Sequence, residues 1–209
     1  MNDLNELLTR RERLLGPNLP TFYDTPLHLV KGKDVWVWDK EGKKYLDCYN
    51  NVPHVGHCHP KVVEAITKQA STLNTHTRYL HEGILNYVEQ LTNTLDHNLT
   101  TAIMTCTGSE ANDIAIRMAQ TITGSKGIIS TDHTYHGNTA LVSQLSSTNP
   151  TNDKLFKYFK HIPAPDSYRP LGNGTSHNYS DIFALELEKS ILEFQKENTN
   201  FAGLILCPF

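Results

Sequence analysis

The chain has 209 residues, of which 38% are hydrophobic and 20% are charged, a composition typical of a globular protein and unlike that of a disordered one. Nineteen basic and 22 acidic side chains give a net charge of -3, which argues against a general nucleic-acid or anionic-membrane surface. No apolar run is long enough to cross a bilayer, and the polar first residues do not resemble a secretion signal. We therefore expect a cytoplasmic protein with neither a nucleic-acid nor a membrane partner.

The first part of the chain combines helical and strand patterns. Residues 4–15 have the spacing of an amphipathic helix, and residues 27–48 alternate with period two around a turn at residues 40–43, which predicts a β-hairpin. Pro60 suits a first helical turn, and apolar residues then recur at helical spacing up to Leu73. We assign residues 1–60 to an N-terminal segment made of a helix and a β-hairpin.

The rest of the chain alternates between strand and helix patterns, which predicts an α/β fold with a mostly parallel sheet and crossover helices. The last predicted strand is followed by no helix, so we expect residues 61–209 to form an incomplete domain. The predicted helices lie at residues 82–95, 111–122, 138–147 and 181–197, and the predicted strands at residues 101–107, 126–131, 158–163 and 201–207.

A small-residue turn joins the strand pattern at residues 101–107 to the helix pattern after it. The N–H groups at a helix start have no intrahelical partner and lie at the positive end of the helix dipole, so this turn can hold a phosphate. Gly108 allows close approach of the backbone, and Ser109 adds a hydroxyl. The alternative is an ordinary serine helix cap, the more frequent case for this pattern alone. Glu110 and Asp113 would repel an anion if they pointed toward it.

Tyr135 and His136 directly follow the next predicted strand. Ligands of open α/β sheets bind beyond the carboxyl ends of the strands, so an aromatic ring at this edge indicates a planar ligand next to the phosphate. Taken alone, the segment is better explained by a half-buried loop tyrosine and a hydrogen-bonded loop histidine.

Several motifs in these segments resemble the class-III pyridoxal-phosphate-dependent aminotransferases. They are TGSEAND at residues 107–113, YHG at 135–137, DKEGKKYLD at 39–47 and GHCHP at 56–60. The segments at residues 50–60 and 164–169 are similar to one branch of the family, which contains phospho-lyases acting on phosphorylated amino alcohols such as ethanolamine phosphate. The resemblance extends from about Tyr23 to the last residue.

The resemblance implies a fold-type-I transferase and a homodimer, with residues 1–60 in part of the small domain and residues 61–209 in the cofactor domain. It implies that Gly108 and Ser109 hold the phosphate of pyridoxal 5'-phosphate, that Tyr135 stacks on the ring, and that His136 lies beside it. The implied activity is an aminotransferase acting on a small primary amine. The alternative within the family is a phospho-lyase that eliminates phosphate from a phosphorylated amino alcohol.

The resemblance also implies two catalytic residues that this sequence does not contain. A lysine holds the cofactor as a Schiff base, and an aspartate pairs with the pyridine nitrogen; we expect both beyond Phe209. None of the 13 lysines lies in a matching motif, and Cys207 stands where the family usually has a glutamate. We expect the chain to be inactive by itself, either as part of a catalytic protein or as a natural non-catalytic chain that binds partners or cofactor.

A hypothesis from another class rests on the histidines of the GHCHP region. His54, His57 and His59 could bind a metal ion in a metal-dependent hydrolase if the stretch were extended. The alternative is a loop whose histidines make local hydrogen bonds. Because no acidic residue lies within the cluster and the four cysteines form no CxxC pair, we predict no metal site.

Overall fold

The structure, a computed structural model, describes residues 2–146, 157–169, 171 and 179–207. The chain forms two compact units, Met1–Glu82 and Gly83–Phe209. The assignment of residues 1–60 and 61–209 to the small and large domains of the family stays a prediction.

The first unit contains two helices and a three-stranded antiparallel sheet. The predicted hairpin is present and gains a third strand, because the chain turns twice within residues 29–46. Pro60 opens the second helix, as expected from its fixed φ angle, and none of the residues of that helix is buried. The elements are α1 (Asn2–Leu15), β1 (Leu29–Lys33), β2 (Trp36–Asp39), β3 (Lys44–Leu46) and α2 (Pro60–Thr72).

The second unit contains a three-stranded parallel sheet with helices along the chain between its strands. The strand β4 lies between β5 and β6 and pairs with both in parallel, so the predicted α/β architecture is confirmed. The elements are α3 (Glu82–Thr92), which begins at the boundary of the units, α4 (Gly108–Thr123), β4 (Gly127–Thr131), a 3₁₀ helix (Val142–Leu145), β5 (Phe159–Ile162), α5 (Tyr179–Lys196) and β6 (Phe201–Ile205).

The core of the second unit lies on both faces of this sheet. All five residues of β4 are buried, as expected for a central parallel strand. Alternate side chains enter opposite faces, so α4 and the 3₁₀ helix pack on one side and α5 packs on the other. The first cluster is Ile116, Ile128, Val142, Leu145 and Phe159, and the second is Ile129, Ile162 and Phe194.

The predicted strand at residues 101–107 is wrong. Residues 101–105 are irregular and pair with no strand in the described part of the chain. The β-prone residues there lack a neighbour that could satisfy their backbone N–H and C=O groups, and strand propensity alone does not form a ladder. Only the helix after this run is confirmed.

The predicted helix at residues 138–147 is also wrong in type and length. Its regular part is the 3₁₀ helix Val142–Leu145, and residue 147 lies outside the described residues. The Thr139 hydroxyl oxygen accepts a hydrogen bond from the Val142 N–H at 3.2 Å, and the Ser130 hydroxyl donates to the Leu145 carbonyl at 3.0 Å. The Thr139 bond occupies a backbone N–H that an α-helix would use, because side-chain hydroxyls compete for the backbone groups.

Within the ranges described above, no helix combines the length and apolar character that a membrane span requires.

Candidate functional site

The start of α4 presents two backbone N–H groups that have no hydrogen-bond partner among the described residues. Thr107 caps the helix, since its hydroxyl oxygen accepts the Glu110 N–H at 3.1 Å. Neither Gly108 nor Ser109 donates its N–H to any residue that the structure describes. Gly108 is exposed, and a Cβ added to it would meet no atom within 4 Å. The helix start is therefore open to a ligand that accepts hydrogen bonds.

The two carboxylates near this helix start, Glu110 in the first turn and Asp113 in the second, are both occupied elsewhere. Glu110 folds back and accepts a hydrogen bond from the Cys106 N–H at 2.8 Å. Asp113 accepts the Thr139 hydroxyl at 2.7 Å and pairs with Arg117, whose Nε lies 2.9 Å from the carboxylate. Because Arg117 offsets one negative charge and Glu110 is bonded to the backbone before the helix, the acidic residues of the motif leave the helix start able to hold an anion.

The segment after β4 carries Tyr135 beyond the carboxyl end of that strand. β4 ends at Thr131, and the buried Thr134 hydroxyl donates to the Thr131 carbonyl at 2.7 Å, which closes a tight turn. Tyr135 then lies 60% exposed, and a flat, half-polar side chain in that position is available to a planar ligand.

Three hydrogen bonds join this segment to the first turns of α4. The Ser109 hydroxyl oxygen accepts the Asn138 N–H at 3.1 Å, and the Asn112 amide donates to the His136 carbonyl at 2.7 Å. The third is the bond between Thr139 and Asp113 already described. Two of the predicted site segments, 107–113 and 135–137, are thus brought together within one unit.

Gly137 allows this close approach. Its φ is +141°, and an added Cβ would lie 2.6 Å from the Ser109 hydroxyl oxygen and 2.7 Å from the Ser109 Cα. A side chain at this position would therefore push the loop away from the helix start.

His136 is placed differently from the exposed Tyr135. It is only 8% exposed, and burial, with a smaller contribution from nearby His161, lowers the pKa of its imidazole. Its Nε2 atom is buried without a hydrogen-bond partner among the described residues. A contact between His136 and the cofactor ring stays a prediction, as do the cofactor contacts of Gly108, Ser109 and Tyr135.

The residues that the sequence interpretation missed are Asn112 and Thr139, and also Asn138. A signal for the first was available, since Asn112 lies three residues after Ser109 and therefore on the same face of α4. Thr139 and Asn138 carried no such signal, because their contacts depend on the path of the loop.

The histidine cluster in the first unit does not form a metal site. His57 Nε2 lies 2.7 Å from Asp47 Oδ2, and His54 is exposed. In the part of the chain that the structure describes, no three His, Cys, Asp or Glu side chains gather as metal ligands would. The hypothesis of a metal-dependent hydrolase using His54, His57 and His59 is therefore not supported.

Asp47 is the partner that the sequence interpretation overlooked. Its carboxylate accepts the Asn50 N–H at 2.9 Å and the Asn50 amide at 2.8 Å, besides the contact with His57. These hydrogen bonds hold the pKa of the Asp47 carboxyl well below its usual range, and the bond from the Asn50 N–H has the largest effect. The contact between Asp47 and His57 therefore has a structural role, since it joins the two ends of the loop at residues 47–57.

A protein-family model and several curated proteins match this chain. The model of the family "Aminotransferase class-III" matches residues 21–209. The chain is 37% identical over 180 residues to "Alanine--glyoxylate aminotransferase 2-like" of Drosophila melanogaster, an alignment that covers 84% of this chain and 36% of that protein. It is 40% identical over 168 residues to "Ethanolamine-phosphate phospho-lyase homolog 1" of Caenorhabditis elegans, with 78% of this chain and 36% of that protein covered.

A solved structure of similar fold is the phospholyase from Arthrobacter in complex with phosphoethanolamine. The TM-score is 0.87 at 35% sequence identity, and the match covers 97% of this chain and 48% of that protein. The chain thus spans 36% of each of the two curated relatives and 48% of the solved phospholyase.

Proposed function

The chain belongs to the class-III aminotransferase family, a family of pyridoxal-phosphate enzymes, and we propose that it supplies the phosphate site and the ring contact for that cofactor. One observation carries the proposal. The N–H groups of Gly108 and Ser109, which have no partner in the described part of the chain, lie at a helix start to which the segment carrying Tyr135 is hydrogen-bonded. The complete protein is then an enzyme that acts on a primary amine.

The residues present fit the cofactor. The N–H groups of Gly108 and Ser109 would bind phosphate oxygens, and the Ser109 hydroxyl, whose oxygen already accepts the Asn138 N–H, keeps its hydrogen to donate. Tyr135 would hold one face of the ring and keep water from it. When bound, pyridoxal phosphate supplies an aldehyde that reacts with amines and a ring that accepts negative charge. The lysine and aspartate that complete such a site are proposed to lie beyond Phe209.

The proposal is tested by comparing two ligands on the full-length protein. Pyridoxal 5'-phosphate and pyridoxal differ only in the phosphate, so the site described above should bind the first far more tightly. The dissociation constants follow from titrations monitored by cofactor absorbance. Equal affinities for the two ligands would contradict a phosphate site at the start of α4.

A second candidate within the family is elimination of phosphate from a phosphorylated amino alcohol. It is supported by the similarity to the Arthrobacter phospholyase and to the Caenorhabditis elegans homologue. It is also supported by the APDSYR segment after β5, in which Arg169 is exposed and pairs with Asp166 at 3.2 Å. An exposed guanidinium beyond the carboxyl end of a strand is suited to bind a phosphate group.

One assay separates the two activities. The full-length protein with cofactor is incubated with phosphoethanolamine, and inorganic phosphate is measured; in parallel, amino transfer from a primary amine to a 2-oxo acid is measured. Phosphate release without amino transfer would favour the phospho-lyase, whereas amino transfer without phosphate release would favour the aminotransferase.

We also propose that the complete protein is a homodimer, as the resemblance implies. The helix α2 is consistent with this, since it buries none of its residues and leaves Val62, Val63 and Ile66 45% to 64% exposed. Light scattering of the full-length protein tests it, and a monomer at micromolar concentration would contradict it. A cytoplasmic location stays a prediction.

A further inference from the structure

The face of α4 that contacts the segment at residues 136–139 is formed by Ser109, Asn112 and Asp113, which follow one another at helical spacing. One turn further along, Ile116 of the same helix enters the hydrophobic core. The helix thus fixes the loop by polar contacts at its start and is itself fixed by packing beyond them.

We propose that Asn112 is a positioning residue for the cofactor ring: by holding the His136 carbonyl it sets the place of Tyr135 relative to the N–H groups of Gly108 and Ser109. The inference rests on the function proposed above and deepens it. Asn112 would contact neither the phosphate nor the ring, and its effect would pass through the backbone next to Tyr135.

Asn112 is better suited to this role than the other two residues of the contact face. Its bond to His136 is 2.7 Å long and partly buried, and it attaches to the residue that directly follows Tyr135. The other bond of the His136 backbone is longer, 3.4 Å from its N–H to the Ser146 hydroxyl. Asp113 holds Thr139, four residues after Tyr135, and also pairs with Arg117. Removal of the Asn112 amide therefore releases the part of the loop nearest the aromatic ring.

The chemistry of the contact requires a donor at position 112. A carbonyl oxygen only accepts hydrogen bonds, so an asparagine amide serves and an aspartate carboxylate of the same shape does not. Asn112→Leu and Asn112→Ala should therefore have the same consequence for ligand binding, because neither side chain has a donor or a charge, although only the second removes volume.

Two probes separate the phosphate contact from the ring contact. Inorganic phosphate needs only the helix start, whereas pyridoxine 5'-phosphate needs both the helix start and Tyr135. Pyridoxine 5'-phosphate has no aldehyde, so it forms no covalent bond to a lysine and its affinity reports non-covalent contacts alone. Both probes are titrated by calorimetry into the full-length protein freed of cofactor.

We expect both substitutions at Asn112 to weaken pyridoxine 5'-phosphate binding about three- to tenfold, the usual effect of one lost hydrogen bond, and to leave phosphate affinity within about twofold. Gln120→Ala is the matched control, because it removes an amide-to-carbonyl bond of similar length, 3.0 Å to Lys126, at the far end of the same helix. Gln120→Ala should leave both affinities unchanged. A loss of affinity for both probes in the Asn112 variants would indicate general disruption of α4 and overturn the proposal.

A double-mutant cycle tests whether Asn112 acts through Tyr135. In a Tyr135→Ala background, Asn112→Ala should cause no further loss of pyridoxine 5'-phosphate affinity. A full additional loss would overturn the positioning role. If the unmodified protein binds neither probe, the proposed function itself fails; if it binds both and the Asn112 variants bind equally well, only the positioning role fails.

Discussion

Ser109 uses its hydroxyl oxygen to accept the Asn138 N–H, which leaves its hydrogen for a bound phosphate. We expect Ser109→Ala to weaken binding of pyridoxal 5'-phosphate by about 1.5–3 kcal/mol, the usual loss of a hydrogen bond to a charged group. Fluorescence titration of the full-length protein measures the change. Ser71→Ala, which removes an exposed hydroxyl on α2, serves as the control and should have no effect. An unchanged dissociation constant in the Ser109 variant would rule out the hydroxyl contact.

Gly137 provides a second test at the residue scale. Gly137→Ala places a Cβ 2.6 Å from the Ser109 hydroxyl oxygen at a φ of +141°, which glycine adopts without strain and other residues rarely adopt. We expect a loss of about 1–3 kcal/mol in the free energy of unfolding, measured by urea denaturation. Gly203→Ala is the control, since an added Cβ there meets its nearest neighbours at 3.8 Å. Equal stability of the two variants would contradict the close packing of the loop on α4.

Single residues show how far the candidate site could be predicted. Gly108, Ser109 and Tyr135 were predicted because a small-residue turn and a post-strand aromatic have recognisable local patterns, and the structure joins the two segments that carry them, while their contacts with a cofactor stay predictions. Asn112 was not recognised, although it lies on the same face of α4 as Ser109, because no local pattern identifies its partner His136, 24 residues away. Asp47 escaped notice for the same reason, since His57 is ten residues distant.

At the scale of elements, the hydrogen bonds of the Asp47 carboxylate, from the Asn50 N–H first and then with His57, couple the stability of the first unit to pH. The pKa of the Asp47 carboxyl is lowered in the folded chain, so folding favours its ionised form. Its contribution to stability is therefore complete above the unfolded pKa of about 3.9, and is lost as the pH falls below that value toward the lowered folded pKa.

We expect acidification below about pH 4 to destabilise the first unit more in the unmodified protein than in Asp47→Asn, which is already less stable at pH 7. Both tryptophans of this chain, Trp36 and Trp38, lie in this unit, so their fluorescence reports its unfolding. Asp24→Asn, a change at an exposed carboxylate of the same unit, is the control and should retain the acid sensitivity. If Asp47→Asn lost stability in acid as steeply as the unmodified protein, the hydrogen bonds of the Asp47 carboxylate would not contribute to the stability of the first unit.

Most helices and strands could be predicted from the periodicity of apolar residues, because an element with one buried face shows that periodicity in its sequence. The helix α4 and the strand β4 begin and end close to the predicted positions, and Gly124, with φ +63°, ends the helix. The strand predicted at residues 101–107 does not form, because a strand needs a neighbouring strand to pair with and no local sequence pattern reveals whether one is present. The α-helix predicted at residues 138–147 does not form. The Thr139 hydroxyl there accepts the Val142 N–H and donates to the Asp113 carboxylate.

At the scale of the whole molecule, the chain spans 48% of the solved phospholyase that it resembles, and the catalytic lysine is expected beyond Phe209. We expect borohydride reduction of the cofactor-loaded full-length protein to fix the cofactor on a lysine that follows residue 209. Peptide mapping by mass spectrometry identifies the modified residue. Modification of any of the 13 lysines in this chain would contradict the assignment.

The order of strands in the parallel sheet has a consequence for synthesis on the ribosome. β4 forms the middle of the sheet, yet both of its neighbours, β5 and β6, are encoded after it. As the nascent polypeptide emerges, Ile128 and Ile129 must wait for residues 201–205 before their strand is flanked on both sides. Pairing across so long a separation slows folding and leaves an apolar strand open to wrong partners, so a chaperone that shields this segment early would improve the yield of native protein.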